Sequence, residues 1–106
     1  MDDNSIAVAE RTRYLLAYDV RDPRRLRRVH QVAKDFGYAL QYSVFVCDLT
    51  KEELLHLKAR LTAEMNTAAD SVGLFDLGPP RGRGVECVEF LGVRRLVPPT
   101  DEAAIW

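Results

Sequence analysis

Two well-marked helix starts, each preceded by a strand-like apolar run, constrain this fold more than any other feature of the sequence. Asp22 is a good N-cap residue, and Pro23 fits the first position of a helix. Thr50 and Glu53 have the spacing of a capping box, T-x-x-E. The chain is therefore expected to alternate strands with helices.

The strand-like runs come in an order that specifies a topology. Residues 13–20 are predicted to form a strand, and the apolar run at 14–18 leaves no polar face, which is typical of a central strand that is covered on both sides. Residues 38–49 are rich in aromatic and β-branched side chains but long for one strand, so we predict two strands with a break at 41–43. Two further strands are predicted at 71–77 and 85–92, separated by a Gly- and Pro-rich linker.

Both predicted helices carry an apolar stripe at helical spacing. The stripe of the first helix, which Gly37 should end, consists of Leu26, Val29, Ala33 and Phe36. The stripe of the second helix, which should end near Asn66, consists of Leu54, Leu57, Leu61 and Met65.

The order β-α-β-β-α-β with one added strand predicts an α+β, ferredoxin-like fold with both helices on one face of an antiparallel sheet. A chain of 106 residues would most simply bury the other face on a copy of itself, so we expect a homodimer. We expect a flexible tail at 1–12, a domain at 13–92 that includes the strand 85–92, and a second tail at 93–106.

Positive charge is concentrated at one place, although the formal net charge is only −1. Five of the basic residues fall at the start of the first predicted helix: Arg21, Arg24, Arg25, Arg27 and Arg28. Such a run is most often a solvated helix face. Few acids lie close by in sequence, the guanidinium fork suits phosphate, and a helix N-terminus favours anions, so we favour a phosphate-binding surface.

Asp19 stands where the first strand opens into a turn. One interpretation is a polar strand-end residue that hydrogen-bonds the turn. The other is a metal-binding carboxylate, because Mg²⁺ takes oxygen ligands and often only one or two carboxylates plus substrate phosphates. An ion that activates water and cations that hold the backbone are what a phosphodiesterase needs.

The remaining reactive residue types do not form a recognised motif. Cys47 and Cys87 are interpreted as reduced core residues of a cytoplasmic protein, and His30 as a satisfied histidine beside the first helical stripe. A zinc site from these residues and His56 has no ligand spacing in its favour. The aromatic residues are expected in the core rather than as base-stacking platforms: Tyr14, Tyr18, Tyr42, Phe45 and Phe75. No segment is apolar enough to span a membrane, and no secretory signal is expected.

Several segments together resemble a known family. YLLAYDV, DPRRLRRV, the QYSVFVCDL block, the T-x-x-E-L cap and DSVGLFDL are similar in order and separation to the small CRISPR-associated endonuclease family, the second of the universal Cas proteins. The similarity runs from about Arg13 to Leu77 and continues weakly through VEFLG. The strand-ending Y-D and the Q-Y-S-V-F block are specific in combination.

The resemblance assigns roles to individual residues. It implies that Asp19 is the metal-binding acid, with Tyr18 and Arg28 at the family's other catalytic positions. It also places the family's middle-block Ser and Phe on Ser43 and Phe45, which are expected to contact nucleic acid with the arginines. Asp22-Pro23 stands where many members have Asp-Asp, and Leu26 stands where many have a basic residue.

The resemblance also implies partners and a cellular role. Members are described as Mg²⁺-dependent nucleases acting on RNA or duplex DNA and as homodimers in which the last strand joins the partner's sheet. In CRISPR adaptation the dimer bridges two dimers of the Cas-one integrase and holds the duplex destined for the array. The sequence leaves two alternatives open, a toxin ribonuclease of the VapD group and a non-catalytic ferredoxin-like binding module.

Overall fold

The structure is a computed structural model that describes residues 10–83 and 87–92. It contains six elements in chain order: β1 (Thr12–Asp19), α1 (Pro23–Phe36), β2 (Tyr38–Gln41), β3 (Val44–Leu49), α2 (Lys51–Glu64) and β4 (Ser71–Gly78). The predicted bounds agree with these to within two residues, and the predicted break falls at the 42–43 turn between β2 and β3.

The four strands form one antiparallel sheet in the order β2-β3-β1-β4. β1 is central, as the apolar run at 14–18 predicted. One hydrophobic cluster combines Leu16 and Tyr18 of β1 with residues of both helices, so α1 and α2 pack on the same face of the sheet. The α+β, ferredoxin-like topology predicted from the element order is therefore confirmed.

Side-chain caps begin both helices. The Asp22 carboxylate accepts a hydrogen bond from the Arg25 backbone N–H at 3.0 Å. The Thr50 hydroxyl accepts one from the Glu53 N–H at 3.1 Å, and the Glu53 carboxylate accepts one from the Thr50 N–H at 2.9 Å. Each bond satisfies a backbone donor that has no partner within the helix, which is why these residues fix where the helices begin.

α1 ends against the sheet at Gly37, whose position has no room for a side chain. A Cβ at this position would lie 2.4 Å from the Val46 carbonyl oxygen and 2.6 Å from the Cys47 Sγ. The glycine is required by this close approach of the chain to β3.

The core lies between the helices and one face of the sheet. Alternate residues of the strands point into it, notably Leu16, Phe45 and Cys47, each at most 1% exposed. The hydrophobic helical residues that form or pack against this core are those of the two predicted stripes, together with Val32. Both stripe predictions are confirmed.

The other face of the sheet is covered only in part. Arg13 is fully buried there, and its Nε and Nη2 donate to the Asp48 carboxylate at 2.7 and 2.8 Å. Val46 is also fully buried. Leu15 and Ala17 are only half-buried, and Phe75, which is paired with Leu15 on β4, is 54% exposed.

Three expectations about burial were wrong. Tyr42 and Phe75 were expected in the core but are 58% and 54% exposed. Tyr42 lies in the 42–43 turn, where strand alternation no longer determines orientation, and Phe75 points to the face of the sheet that the helices leave uncovered. Cys87 is exposed, whereas Cys47 is buried as expected.

Of the predicted C-terminal strand, the described residues 87–92 do not form a strand. Residues 87–92 pair with no strand of the described chain, and residues 85 and 86 lie outside the described residues. A strand requires a hydrogen-bonded neighbour, and the predicted neighbour is a second copy, so this pairing stays a prediction. Most of the predicted tail at 1–12 and all of that at 93–106 also lie outside the described residues.

No helix in the described part of the chain is both long and apolar enough to cross a membrane.

Candidate nucleic-acid and metal site

Asp19 is the last residue of β1, and its side chain is exposed. Its strand partner across the sheet is Ser71 of β4. Within the part of the chain that the structure describes, no hydrogen bond or ion pair engages its carboxylate. The expectation of a capping or turn-bonding role therefore has no contact to support it, and the carboxylate is available to a ligand.

Tyr18, the residue before it, points to the opposite face of the sheet because side chains alternate along a strand. Its side chain is 6% exposed and packs in the core, where its ring stacks with Phe45 at 6.3 Å between centroids. Its hydroxyl donates to the Tyr42 carbonyl oxygen at 3.1 Å and lies 2.7 Å from the His30 Nδ1. Burial, followed by the nearby Tyr42 phenol, raises the pKa of Tyr18 to about 12.

Arg25 is the one arginine of the run with a bidentate ion pair among the described residues. Its Nε and Nη2 donate to the Asp70 carboxylate at 2.7 and 3.0 Å, and the Asp70 side chain is only 1% exposed. Asp70 also accepts a hydrogen bond from the Asn66 backbone N–H at 2.8 Å. These bonds join α1 to the turn that precedes β4, so the Arg25 guanidinium is engaged within the fold.

The other arginines of the run lie exposed: Arg21, Arg24, Arg27 and Arg28. Over residues 10–83 and 87–92, none of them takes part in an ion pair. Their charge is therefore not neutralised within the described chain, and the three that lie on α1 face solvent on the side away from the sheet.

The structure separates these cations from Asp19 within one chain. Asp19 points to the face of the sheet opposite the helices, whereas Arg24, Arg27 and Arg28 lie on the outer surface of α1. Arg21 follows Asp19 by two residues and is the nearest of the group along the chain. Any ligand that touches both must extend around the end of β1.

The two remaining predicted contacts differ in accessibility. Phe45 is 1% exposed and belongs to the core. Ser43 is half-buried in the 42–43 turn, and its carbonyl oxygen accepts from the Tyr18 backbone N–H at 3.1 Å. Phe45 is too buried to contact nucleic acid directly. Its ring meets His30 edge-on, at 5.4 Å between centroids.

One chain supplies only part of the ligand set that the expected magnesium site needs, namely the Asp19 carboxylate. Within the described chain no three His, Cys, Asp or Glu side chains gather closely enough to hold a metal. An exposed carboxylate such as Asp19 does suit a hard cation that takes few protein ligands. Cys47, one of the residues weighed for a zinc site, lies in the core, where burial raises the pKa of its thiol to about 12.

Three residues of this region had no assigned function in the sequence pattern. Asp70 lies 45 positions after Arg25, so local sequence could not reveal it as the arginine's partner. His30 was expected to be a satisfied histidine, which its contact with Tyr18 supports. Tyr42 was expected in the core, and its place in a predicted chain break was the only signal that it might be exposed.

The model of the family described as CRISPR associated protein Cas2 matches residues 12–81, which is β1 through the turn after β4. The chain belongs to the Cas2 family. This is the family that the Q-Y-S-V-F block and the strand-ending Y-D indicated.

Curated Cas2 relatives match over most of their length. The chain is 38% identical over 85 residues to the CRISPR-associated endoribonuclease Cas2 of Thermus thermophilus, covering 80% of this chain and 90% of the relative. It is 31% identical over 92 residues to a protein of the same name from a Synechocystis strain, covering 87% and 97%.

Solved structures of similar proteins share the fold. The Streptococcus pyogenes Cas2 crystal structure has a TM-score of 0.65 at 35% identity, covering 76% of this chain and 99% of the other. A hypothetical protein from Thermus thermophilus has a TM-score of 0.70 at 28% identity, covering 81% and 96%.

Proposed function

We propose that this Cas2 family member is a metal-dependent phosphodiesterase acting on RNA or DNA, and a duplex-binding dimer in CRISPR adaptation. The observation that carries the proposal is the exposed Asp19 carboxylate at the end of the central strand, unengaged by the described chain. Curated relatives with up to 41% identity are named endoribonucleases, which supports cleavage of a phosphodiester as the reaction.

In this proposal Asp19 holds the metal together with the same residue of a second copy. One chain offers a single suitable carboxylate, and a two-fold axis near the end of β1 would supply another. A bound Mg²⁺ supplies activation of water and neutralisation of charge on the phosphate. The contribution of the chain is to present the carboxylate on a rigid strand end.

The exposed arginines hold the sugar-phosphate backbone. Arg21, Arg24, Arg27 and Arg28 have no ion-pair partner in the described chain, and the family resemblance assigns a catalytic role to Arg28. Phosphate contacts of this kind fix the position of nucleic acid with little sequence preference. Arg25 has a structural part in this surface: its guanidinium binds Asp70 and so joins α1 to the turn that precedes β4.

Tyr18 acts by positioning rather than by proton transfer. Its hydroxyl is buried and hydrogen-bonded, and its raised pKa keeps it neutral. It ties the end of β1 to the 42–43 turn, and thereby fixes the strand end that carries Asp19.

The scaffold role uses the same surface of exposed arginines but does not require cleavage of the nucleic acid. A homodimer presents two copies of the α1 arginines, which suits a duplex held mainly by its backbones. We propose the Cas-one integrase as the protein partner in this role, on the basis of family membership alone.

The cleavage proposal is tested by replacing Asp19 with its uncharged isostere. Asp19→Asn should reduce Mg²⁺-dependent cleavage of RNA or DNA on the order of a hundredfold or more, since it removes the negative charge of a metal ligand without changing side-chain size. EDTA should abolish cleavage by the wild type. Glu52→Gln, an exposed acid of α2, is the matched control and should cleave normally. Cleavage by Asp19→Asn at the wild-type rate would refute the metal role.

The scaffold proposal is tested by the dependence of duplex affinity on salt. Replacing Arg24, Arg27 and Arg28 by Ala should flatten the plot of log affinity against log salt by about 0.9 for each lost phosphate contact. The matched control replaces Lys51 and Lys58 of α2 by Ala. Equal slopes for the wild type and the arginine variant would exclude α1 as the contact surface.

A further inference from the structure

Tyr42, in the turn between β2 and β3, is the exposed end of a group of rings that includes His30 of α1. Its ring lies parallel to that of His30, with centroids 4.3 Å apart and planes 13° apart. His30 in turn meets Phe45 edge-on, at 5.4 Å and 72°. One face of the Tyr42 ring is covered by the histidine, and the residue is still 58% exposed, so the other face is open to solvent.

Hydrogen bonds fix this stack in place. The Tyr18 hydroxyl has one proton and donates it to the Tyr42 carbonyl oxygen, which can only accept. The His30 Nδ1, 2.7 Å from the same hydroxyl oxygen, must then carry the proton of the second bond. The Tyr18 backbone N–H also binds the Ser43 carbonyl at 3.1 Å, so both turn residues are tied to β1.

Unpaired cations flank the stack along α1. Arg27 precedes His30 by three residues and Lys34 follows it by four, so both lie next to His30 on the helix surface. Both are exposed, and in the described residues neither forms an ion pair. The acid nearest to them on the helix, Asp35, is engaged by Arg60 at 2.8 Å and by Gln31 at 3.0 Å.

We propose that the outer face of Tyr42 is a stacking subsite for an unpaired nucleobase of a single-stranded nucleic acid, whose phosphates lie along Arg27 and Lys34. The proposal rests on the proposed function, because it takes nucleic acid as the ligand. A fixed aromatic face beside a cationic track is the combination by which proteins bind single strands without sequence preference. The interior bases of a duplex are stacked on each other and are excluded from such a subsite.

The 54% exposed Phe75 shows why exposure alone does not make a stacking subsite. Phe75 lies on β4, on the face of the sheet opposite α1 and its cations. No described ring stacks against it, whereas Tyr42 is held by both a ring and its own backbone carbonyl. The contacts that hold Tyr42 in place, together with the nearby cations Arg27 and Lys34, favour a nucleobase at this ring.

The experiment compares single-stranded and duplex oligonucleotides over a range of salt concentrations. Stacking is not ionic, so Tyr42→Ala should weaken single-strand binding about tenfold at every salt concentration, leave the slope unchanged, and leave duplex affinity unchanged. Tyr42→Phe keeps the ring and should bind as the wild type does. Arg27→Ala should instead flatten the single-strand slope by about 0.7.

Two further arms test the subsite directly. A fluorescent purine analogue in the strand should be quenched by the wild type and by Tyr42→Phe, but not by Tyr42→Ala. A strand with abasic positions in place of its bases should bind the wild type more weakly than the intact strand does, which tests the claim without altering the protein. The abasic strand should also bind the wild type and Tyr42→Ala equally. Leu55→Ala, an equally exposed apolar residue of α2, is the control and should behave as the wild type does.

The outcomes separate this inference from the proposed function. If the wild type binds single strands and Tyr42→Ala binds them equally well, the subsite is refuted and nucleic-acid binding stands. If Tyr42→Ala weakens duplex and single-strand binding by the same factor, the subsite is also refuted. If the wild type binds no nucleic acid at low salt, both proposals fall.

Discussion

At the scale of single residues, one run of arginines contains two kinds of side chain. Arg25 is bound on two nitrogens by the buried Asp70, whereas Arg24 and Arg27 beside it are exposed and unpaired within the described chain. The sequence predicted the run and its helix correctly. It could not separate its members, because the residue that distinguishes them comes 45 positions later.

The ion pair predicts how stability changes with pH. The hydrogen bond from Arg25, followed by that from the Asn66 N–H, lowers the pKa of Asp70. A lowered pKa stabilises the fold at pH values above the unfolded-state pKa of about 3.9, and this stabilisation is lost as the pH falls through the folded-state pKa. Urea unfolding between pH 7 and pH 2 should therefore show a smaller loss of stability on acidification for Asp70→Asn than for the wild type.

The matched control for this prediction is Asp76→Asn, since Asp76 is exposed and forms no ion pair in the described chain. It should follow the wild-type pH dependence. Arg25→Ala should lower the urea midpoint at neutral pH, and Arg24→Ala should not. Equal acid sensitivity of the wild type and Asp70→Asn would show that this pair does not stabilise the fold.

At the scale of elements, local chemistry determined the helix starts. The caps at Asp22 and Thr50 were predictable because each joins residues three positions apart. The 42–43 turn was predictable as a break, but the orientation of Tyr42 was not. That orientation depends on His30 of α1 and Tyr18 of β1, which a local pattern cannot bring together.

Asp22 offers a test of whether an acid beside the site serves the helix or a ligand. Asp22→Ala should lower the free energy of unfolding by about 1 kcal/mol, because the Arg25 N–H loses its acceptor. Asp22→Asn should retain stability, since Asn is an equally good N-cap. Chemical denaturation measures both, and a cleavage assay on folded protein should show activity for each. Loss of cleavage in Asp22→Asn would instead indicate a ligand role.

At the scale of the whole molecule, the sheet has one fully packed face and one partly covered face. Phe75, Leu15 and Ala17 leave apolar surface on the second face in the isolated chain. The element order predicted this asymmetry, because a ferredoxin-like chain places both helices on one side. It could not show which part of the second face is covered, since the buried Arg13 and Asp48 lie 35 positions apart.

We predict that this exposed apolar surface is buried in a homodimer. Light scattering should give a mass twice that of one chain for the wild type. Phe75→Glu places a charge on the contact and should give a single-chain mass with loss of cleavage, because the second Asp19 is removed. Leu55→Glu, on an exposed helix surface, should leave the dimer and the cleavage rate unchanged. A single-chain mass for the wild type would contradict the shared metal site.

Tyr18 and Asp19, which are adjacent at the end of β1, lie on opposite faces of the sheet. Tyr18 belongs to the helix layer and the 42–43 turn, and Asp19 to the surface on the reverse side. Inactive variants at these neighbouring positions therefore carry different information. Loss at Tyr18 should be accompanied by altered turn geometry and a lower unfolding temperature, whereas loss at Asp19 should leave an intact protein that no longer responds to divalent ions.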